Sequence, residues 1–178
     1  MGGVILLGKQ HFASQREFSW EDAVLLEGSC HCGSVSFRVE SETPYPYQAC
    51  YCSICRKTAG GGGYVINLGA DADTLEVEGE EQLSVYTARA QDRGESERNF
   101  CKFCGSFLWL FNPIWPGLVH PYASAIDTPL PKPPERVRLM LNYAAPWCEI
   151  PEDGNELHFP EYPEESLEEW HRRHGLLG

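Results

Sequence analysis

The sequence predicts a mainly β domain, stapled through its cysteines, with few short helices and one helix near the C-terminus. Three observations predict it. Short runs alternate apolar and polar residues at period two, helical periodicity is sparse, and seven of the eight cysteines fall in three tight clusters. A length of 178 residues fits one domain rather than two.

Residues 1–22 are weakly patterned and read as an N-terminal leader. The domain proper is expected over 23–150, and β structure begins at Leu25. Val35, Phe37 and Val39 alternate with Ser34, Ser36 and Arg38, as a half-buried strand requires. Thr43-Pro44-Tyr45-Pro46 marks a turn or edge. A short helical turn follows Cys52, over Ser53 to Thr58, and the run Gly60–Gly63 stops it. Tyr64 to Leu68, Thr74 to Val77, Leu83 to Thr87 and Phe107 to Phe111 read as strands. Arg136 to Leu141 alternates again, with Val137, Leu139 and Leu141 on one side. The aromatic-rich stretch Phe107 to Trp115 is expected in the core. Residues 151–178 form an acidic C-terminal extension whose first part, Glu152 to Glu165, is expected to be a surface connection. Its helix is announced by Ser166 with Glu169 three residues on, a capping-box pair, and Gly175 stands where a helix stop belongs. His171, Arg172, Arg173 and His174 lie in the last turn, where positive charge complements the helix dipole.

The charge balance is 26 acids against 14 bases, a formal −12. A protein that neutralises phosphates needs a basic face, so nucleic acid is not expected as a partner. The apolar run Val4-Ile5-Leu6-Leu7 is too short for a signal-peptide core or a membrane span. The expectation is a cytoplasmic protein with no membrane partner and an open oligomeric state. In a reducing compartment, paired cysteines serve as metal ligands or reactive thiols rather than disulfides.

The clusters are Cys30-His31-Cys32, Cys50-Tyr51-Cys52-Ser53-Ile54-Cys55 and Cys101-Lys102-Phe103-Cys104. A C-x-C pair on an extended segment puts both thiols on one face. A C-x-x-C pair on a tight turn curls two thiols toward one point, and Gly105 after Cys104 relieves the crowded backbone. Cys30, Cys32, Cys101 and Cys104 therefore form a closed, four-sulfur site suited to structural zinc. The middle cluster supplies three thiolates, and three protein ligands with an open position is how catalytic zinc is held. Such a centre carries a net −1 and suits a fourth sulfur, from a small thiol, better than hydroxide. Two other readings stand beside the open site: a second structural site completed by a histidine or Cys148, and a redox thiol group. Iron–sulfur ligation does not match the spacings.

Arg56 and Lys57 follow the cluster and could offset negative charge. The amides of Gly61 and Gly62, in the glycine run, could approach a thiol ligand closely, although such runs are more often plain loops. Cys148, after Pro146-Trp147, is most simply a buried core thiol. His31 points away from its cysteine neighbours. His120 and Asp127 flank Tyr122 and are candidates for a polar role in a pocket, though such residues are more often structural.

Gly28-Ser29-Cys30-His31-Cys32-Gly33, Cys50-Tyr51-Cys52-Ser53-Ile54-Cys55-Arg56-Lys57 and Phe100-Cys101-Lys102-Phe103-Cys104-Gly105 together resemble the glutathione-dependent formaldehyde-activating enzyme family, which also contains the centromere protein V group. Tyr143-Ala144-Ala145-Pro146-Trp147 is similar to the family's C-terminal strand ending in a Pro-Trp pair. The likeness covers about residues 26–150. It implies stacked, tent-like β-sheets and two zinc ions per chain: a structural one on Cys30, Cys32, Cys101 and Cys104, and a second on Cys50, Cys52 and Cys55. It further implies glutathione as co-substrate and carbon–sulfur lyase activity of the S-(hydroxymethyl)glutathione synthase type. The expected partner is a small-molecule thiol/aldehyde adduct. The alternatives are a non-catalytic thiol carrier and a zinc-stapled protein-interaction module using the acidic extension. The basic extensions of microtubule-linked members have no counterpart here.

Overall fold

The described residues form twelve strands and two α-helices: β1 (Val24–Ser29), β2 (Ser36–Ser41), β3 (Tyr47–Cys50), α1 (Ser53–Thr58), β4 (Val65–Asn67), β5 (Ala70–Asp71), β6 (Glu76–Glu78), β7 (Leu83–Ala90), β8 (Gly94–Cys101), β9 (Phe107–Phe111), β10 (Leu118–Pro121), β11 (Arg136–Leu139), β12 (Glu156–His158) and α2 (Leu167–Arg173). This computed structural model describes residues 24–90, 94–133, 135–152, 154 and 156–176. The leader expected over 1–22 lies outside them.

The strands form three sheets, ordered β1-β2-β6, β5-β10-β9-β8-β7 and β12-β11-β3-β4. Hairpin neighbours pair antiparallel, but β11 runs parallel to both β3 and β12. The period-two reading of β2 holds: Val35, Phe37 and Val39 are buried, while Arg38 and Glu40 face solvent. Phe37 meets Trp109 of β9 edge-on, with ring centroids 5.1 Å apart. These two rings belong to a core that joins the three- and five-stranded sheets and also takes in Leu26, Leu108, Val119 and Trp170. Each such side chain contributes roughly 1.5–3 kcal/mol on burial. A second apolar cluster, with Val65, Leu110, Tyr122, Val137 and Leu139, surrounds Cys50 and Cys55.

Several expectations change. Two strands, β8 and β10, carry no clear period-two signal, because β8 buries Ser96, Arg98 and Asn99 and β10 buries His120 and Pro121. The strand expected at Thr74 to Val77 begins at Glu76, after a 3-10 turn over Ala72–Thr74. Tyr143 to Trp147 is not a strand. Met140 takes a left-handed conformation at φ 64°, a 3-10 turn follows over Leu141–Tyr143, and β12 occupies the place beside β11 instead. The core expectation for Phe107 to Trp115 holds through Leu110, but Ile114 and Trp115 are exposed. Cys148 is partly exposed rather than core.

The acidic extension is part of the domain. Its β12 completes the four-stranded sheet, and the buried Arg138 donates to the Glu156 carboxylate, at 2.8 Å through Nη2 and at a closer approach through Nε. The capping box expected at Ser166 and Glu169 is present, with the Glu169 amide donating to Ser166 Oγ at 3.2 Å. It starts α2 so that Trp170 is only 2% exposed and donates from Nε1 to Glu135 at 2.9 Å.

Two cysteine centres and the cavity between the sheets

Cys30 and Cys32 lie on the turn leaving β1, and Cys101 and Cys104 lie on the turn leaving β8. Both turns need a left-handed residue after their last cysteine, and glycine supplies it: Gly33 at φ 73° and Gly105 at φ 72°. The Gly105 amide closes the second turn on the Cys101 carbonyl at 2.9 Å. All four sulfurs lie within 4.8 Å of one another, with 3.5 Å from Cys30 to Cys32 and 3.7 Å from Cys32 to Cys101. A tetrahedron with Zn–S of about 2.3 Å has sulfurs about 3.8 Å apart, so this set fits zinc. The surroundings already favour thiolates at two positions. Ser106 holds Cys104 down to about 5, and Ser34 lowers Cys32, whereas burial pushes Cys101 up to about 11. The Val35 amide donates to Cys30 Sγ at 3.3 Å.

The second centre is built by the end of β3 and the start of α1. Cys50 ends the strand, Cys52 caps the helix by accepting from the Cys55 amide at 3.4 Å, and Cys55 lies one turn in. The three sulfurs lie within 4.8 Å of one another, and no fourth Cys, His, Asp or Glu joins them among the described residues. The thiols divide their protons unevenly. Hydrogen bonds from Cys50 and Cys55 hold Cys52 far below the usual thiol range. Bonding with Cys52 and Cys55, together with burial, raises Cys50. At Cys55 a Cys50 contact is outweighed by Cys52 and by burial, which push it up to about 12. One thiolate forms readily, and the other two need a cation, which is the donor chemistry of a divalent metal site.

This centre opens into a cavity of about 820 Å³. Cys50, Cys52 and Cys55 line it, with Arg98 and His120 from the five-stranded sheet and Asn67 from the four-stranded sheet. Trp115 and Tyr162 stand at its wall, with ring centroids 6.5 Å apart. The segment Tyr162 to Trp170 lines one side, so the extension helps to build the cavity. Its acids Glu165 and Glu168 form ion pairs with Arg173 and Arg172.

The expected ligand contacts fare differently. Arg56 and Lys57 do not line the cavity, because α1 presents its Cys52–Cys55 turn to it and carries them past. Gly61 and Gly62 are exposed and also outside the lining. His31 is exposed. Asp127 accepts from Ser29 Oγ at 2.6 Å and serves the end of β1. His120 does line the cavity. Its Nδ1 lies 3.0 Å from the Leu68 carbonyl, which only accepts, so Nδ1 carries the hydrogen and Nε2 is left as an acceptor. Burial holds its imidazolium down to about 4.

The residue missed from sequence is Arg98, 5% exposed on β8. Its Nε and Nη1 have no hydrogen-bond partner, and neither have Asn67 Oδ1 and Tyr122 Oη. Arg98 and Asn67 both line the cavity, so these unspent polar atoms belong to side chains at its wall. The signal in the sequence is only an arginine three residues before Cys101.

The family profile of the glutathione-dependent formaldehyde-activating enzyme matches residues 25–138. A Halomonas elongata protein, provisionally named a glutathione-dependent formaldehyde-activating enzyme, is 59% identical over 154 residues, covering 86% of this chain and 98% of the relative. A crystal structure of a Rhodobacter sphaeroides protein aligns over 59% of this chain and 91% of its own, at 26% identity and a TM-score of 0.48.

Proposed function

The chain belongs to the glutathione-dependent formaldehyde-activating enzyme family, and on that premise we propose that it is a zinc-dependent, carbon–sulfur lyase-like enzyme acting on the adduct of a small thiol and an aldehyde. The observation that carries the reading is the contrast between the two centres: four sulfurs close one, and three leave the other open to a cavity. Zinc on Cys50, Cys52 and Cys55 would supply a Lewis-acidic position able to hold a thiol as its thiolate. Zinc on Cys30, Cys32, Cys101 and Cys104 would join the turns after β1 and β8.

The reaction is RSH + HCHO ⇌ RSCH2OH, with glutathione as the thiol. Forward, the sulfur lone pair makes the S–C bond and the carbonyl π pair moves to oxygen. That oxygen takes up a proton, and the thiol gives one up. The reverse step breaks the same bond. His120 contributes an acceptor at Nε2 for the hydrogen of the thiol or of the new hydroxyl. Its suppressed basicity suits it to orient that hydrogen rather than to remove it outright. The apolar side chains of Leu110, Val137 and Leu139 limit water around the reacting atoms.

The test is exchange NMR on mixtures of glutathione and formaldehyde at equilibrium. The protein should accelerate interconversion of free thiol and adduct in proportion to its concentration. Glutathione binding with no acceleration would support the carrier instead.

A further inference from the structure

Arg98 lies on β8 with its guanidinium among the groups of the open centre. The strand register sets it opposite Leu110, which packs in the same cluster as Cys50 and Cys55. It is 5% exposed, its Nε and Nη1 have no hydrogen-bond partner, and no carboxylate is among the groups that act most strongly on it. The ionisable groups that act most strongly on it are Tyr122, Cys55, Cys52 and Cys50. A buried guanidinium with no anion beside it is strongly unfavourable, so a fold that keeps one has a compensating charge for it. Among the described residues, that charge falls to the cysteine centre and what the centre binds.

Building on the proposed function, we propose that Arg98 is the buried counter-charge of the three-cysteine centre and selects an anionic fourth ligand, a thiolate, over a neutral one. The arithmetic is direct. A divalent metal with three thiolates carries −1, and a fourth thiolate takes it to −2. Arg98 returns the sum to −1, while its Nε and Nη1 remain available as donors toward the cavity. A neutral ligand adds no charge and gains nothing from the arginine. A unit charge about 8 Å from another, at an effective dielectric of about 20, changes a binding constant by roughly thirtyfold. Arg98 acts through the ligand's charge, so it is a positioning and selecting residue.

The experiment uses full-length protein carrying Co²⁺ in place of zinc, with metal content measured for every variant. 2-Mercaptoethanol, which has no carboxylate, and imidazole, which is neutral, are titrated separately while the cobalt spectrum is followed. Arg98→Gln should weaken 2-mercaptoethanol roughly thirtyfold and leave imidazole within about threefold, and Arg98→Lys should recover most of the thiol affinity. Thiol affinity unchanged in Arg98→Gln overturns the proposal, as does equal loss for both ligands with no recovery by lysine. If Arg98→Gln does not retain metal, Arg98→Lys carries the test. Binding of 2-mercaptoethanol near the native affinity supports the proposal, and a loss on the order of thirtyfold overturns it. Native protein that binds no thiol overturns the functional reading itself. Native binding with Arg98→Gln unchanged overturns only this inference.

Discussion

Glu156→Ala removes one partner of the pair that ties the acidic extension into the four-stranded sheet. Arg138 and Glu156 have side chains only 4% and 6% exposed, and the Arg138 guanidinium spends Nη1 on the Tyr51 hydroxyl and Nε and Nη2 on the carboxylate. Alanine leaves that guanidinium buried without its anion, and breaking a buried pair in this way costs about 3–5 kcal/mol. For a domain of this size each kcal/mol moves Tm by about 2–4 °C, so the variant should melt roughly 6–20 °C lower. Thermal unfolding of the zinc-loaded protein, followed by circular dichroism, measures it. Acid titration gives an independent sign. Arg138 holds the Glu156 carboxyl below its ordinary range. The pair's stabilisation is thus complete above the unfolded carboxyl pKa of about 4.3 and disappears as pH falls through the lower folded value. Native protein should show that extra acid loss, and Glu156→Ala should not. A Tm change under about 3 °C would match an exposed pair and refute the claim that the extension is integral.

Metal analysis of protein purified without chelator should give close to two zinc ions per chain, and one would contradict the assignment of both centres. Cys101→Ser should fail to fold, since a structural zinc site is worth roughly 10–16 kcal/mol in zinc-finger peptides and rivals a whole domain's stability. Cys52→Ser should remain folded by near-ultraviolet circular dichroism yet lose thiol binding; equal unfolding of both variants would make the second centre structural. His120, neutral down to about 4 in the fold against 6.5 unfolded, lets the unfolded chain bind the extra proton between those values. Its contribution is full above pH 6.5 and declines by about 3 kcal/mol toward pH 4. His120→Gln should flatten that part of the pH–stability curve, and an unchanged slope would contradict the burial argument. Trp170→Ala should cost about 3–5 kcal/mol in urea unfolding, because α2 then lays a cavity against the main core.

The parts legible in the sequence are those that local chemistry dictates. Strand β2 shows its alternation, α2 shows its capping box, and the cysteine pairs show their convergence through spacing alone. The sequence leaves the second centre open to three readings, and in the structure Cys50, Cys52 and Cys55 line a cavity with no fourth Cys, His, Asp or Glu joining them among the described residues. Cys148 lies 3.9 Å from the Gly62 carbonyl and outside the cysteine cluster. The rest is decided by long-range packing, which leaves no local pattern in the sequence. Strand β8 reads as GESERNFC, polar enough to pass for a loop, because its inward face carries Ser96 and Arg98 to a cavity instead of apolar side chains to a core. The residues nearest in sequence to the cluster, Arg56 and Lys57, are carried away by helix geometry, while Arg98 arrives from a strand more than forty positions on. The acidic extension reads as a surface segment because its net charge hides Glu156 and Trp170, one paired and one buried.

The central claim is that the three-cysteine centre is a zinc site with a position open to a thiol. A crystal structure of the zinc-loaded protein soaked with glutathione tests it most directly. The account predicts zinc bound by Cys50, Cys52 and Cys55, with the glutathione sulfur as fourth ligand at about 2.3 Å. A fourth protein ligand on that metal, with glutathione absent from the cavity, would contradict it.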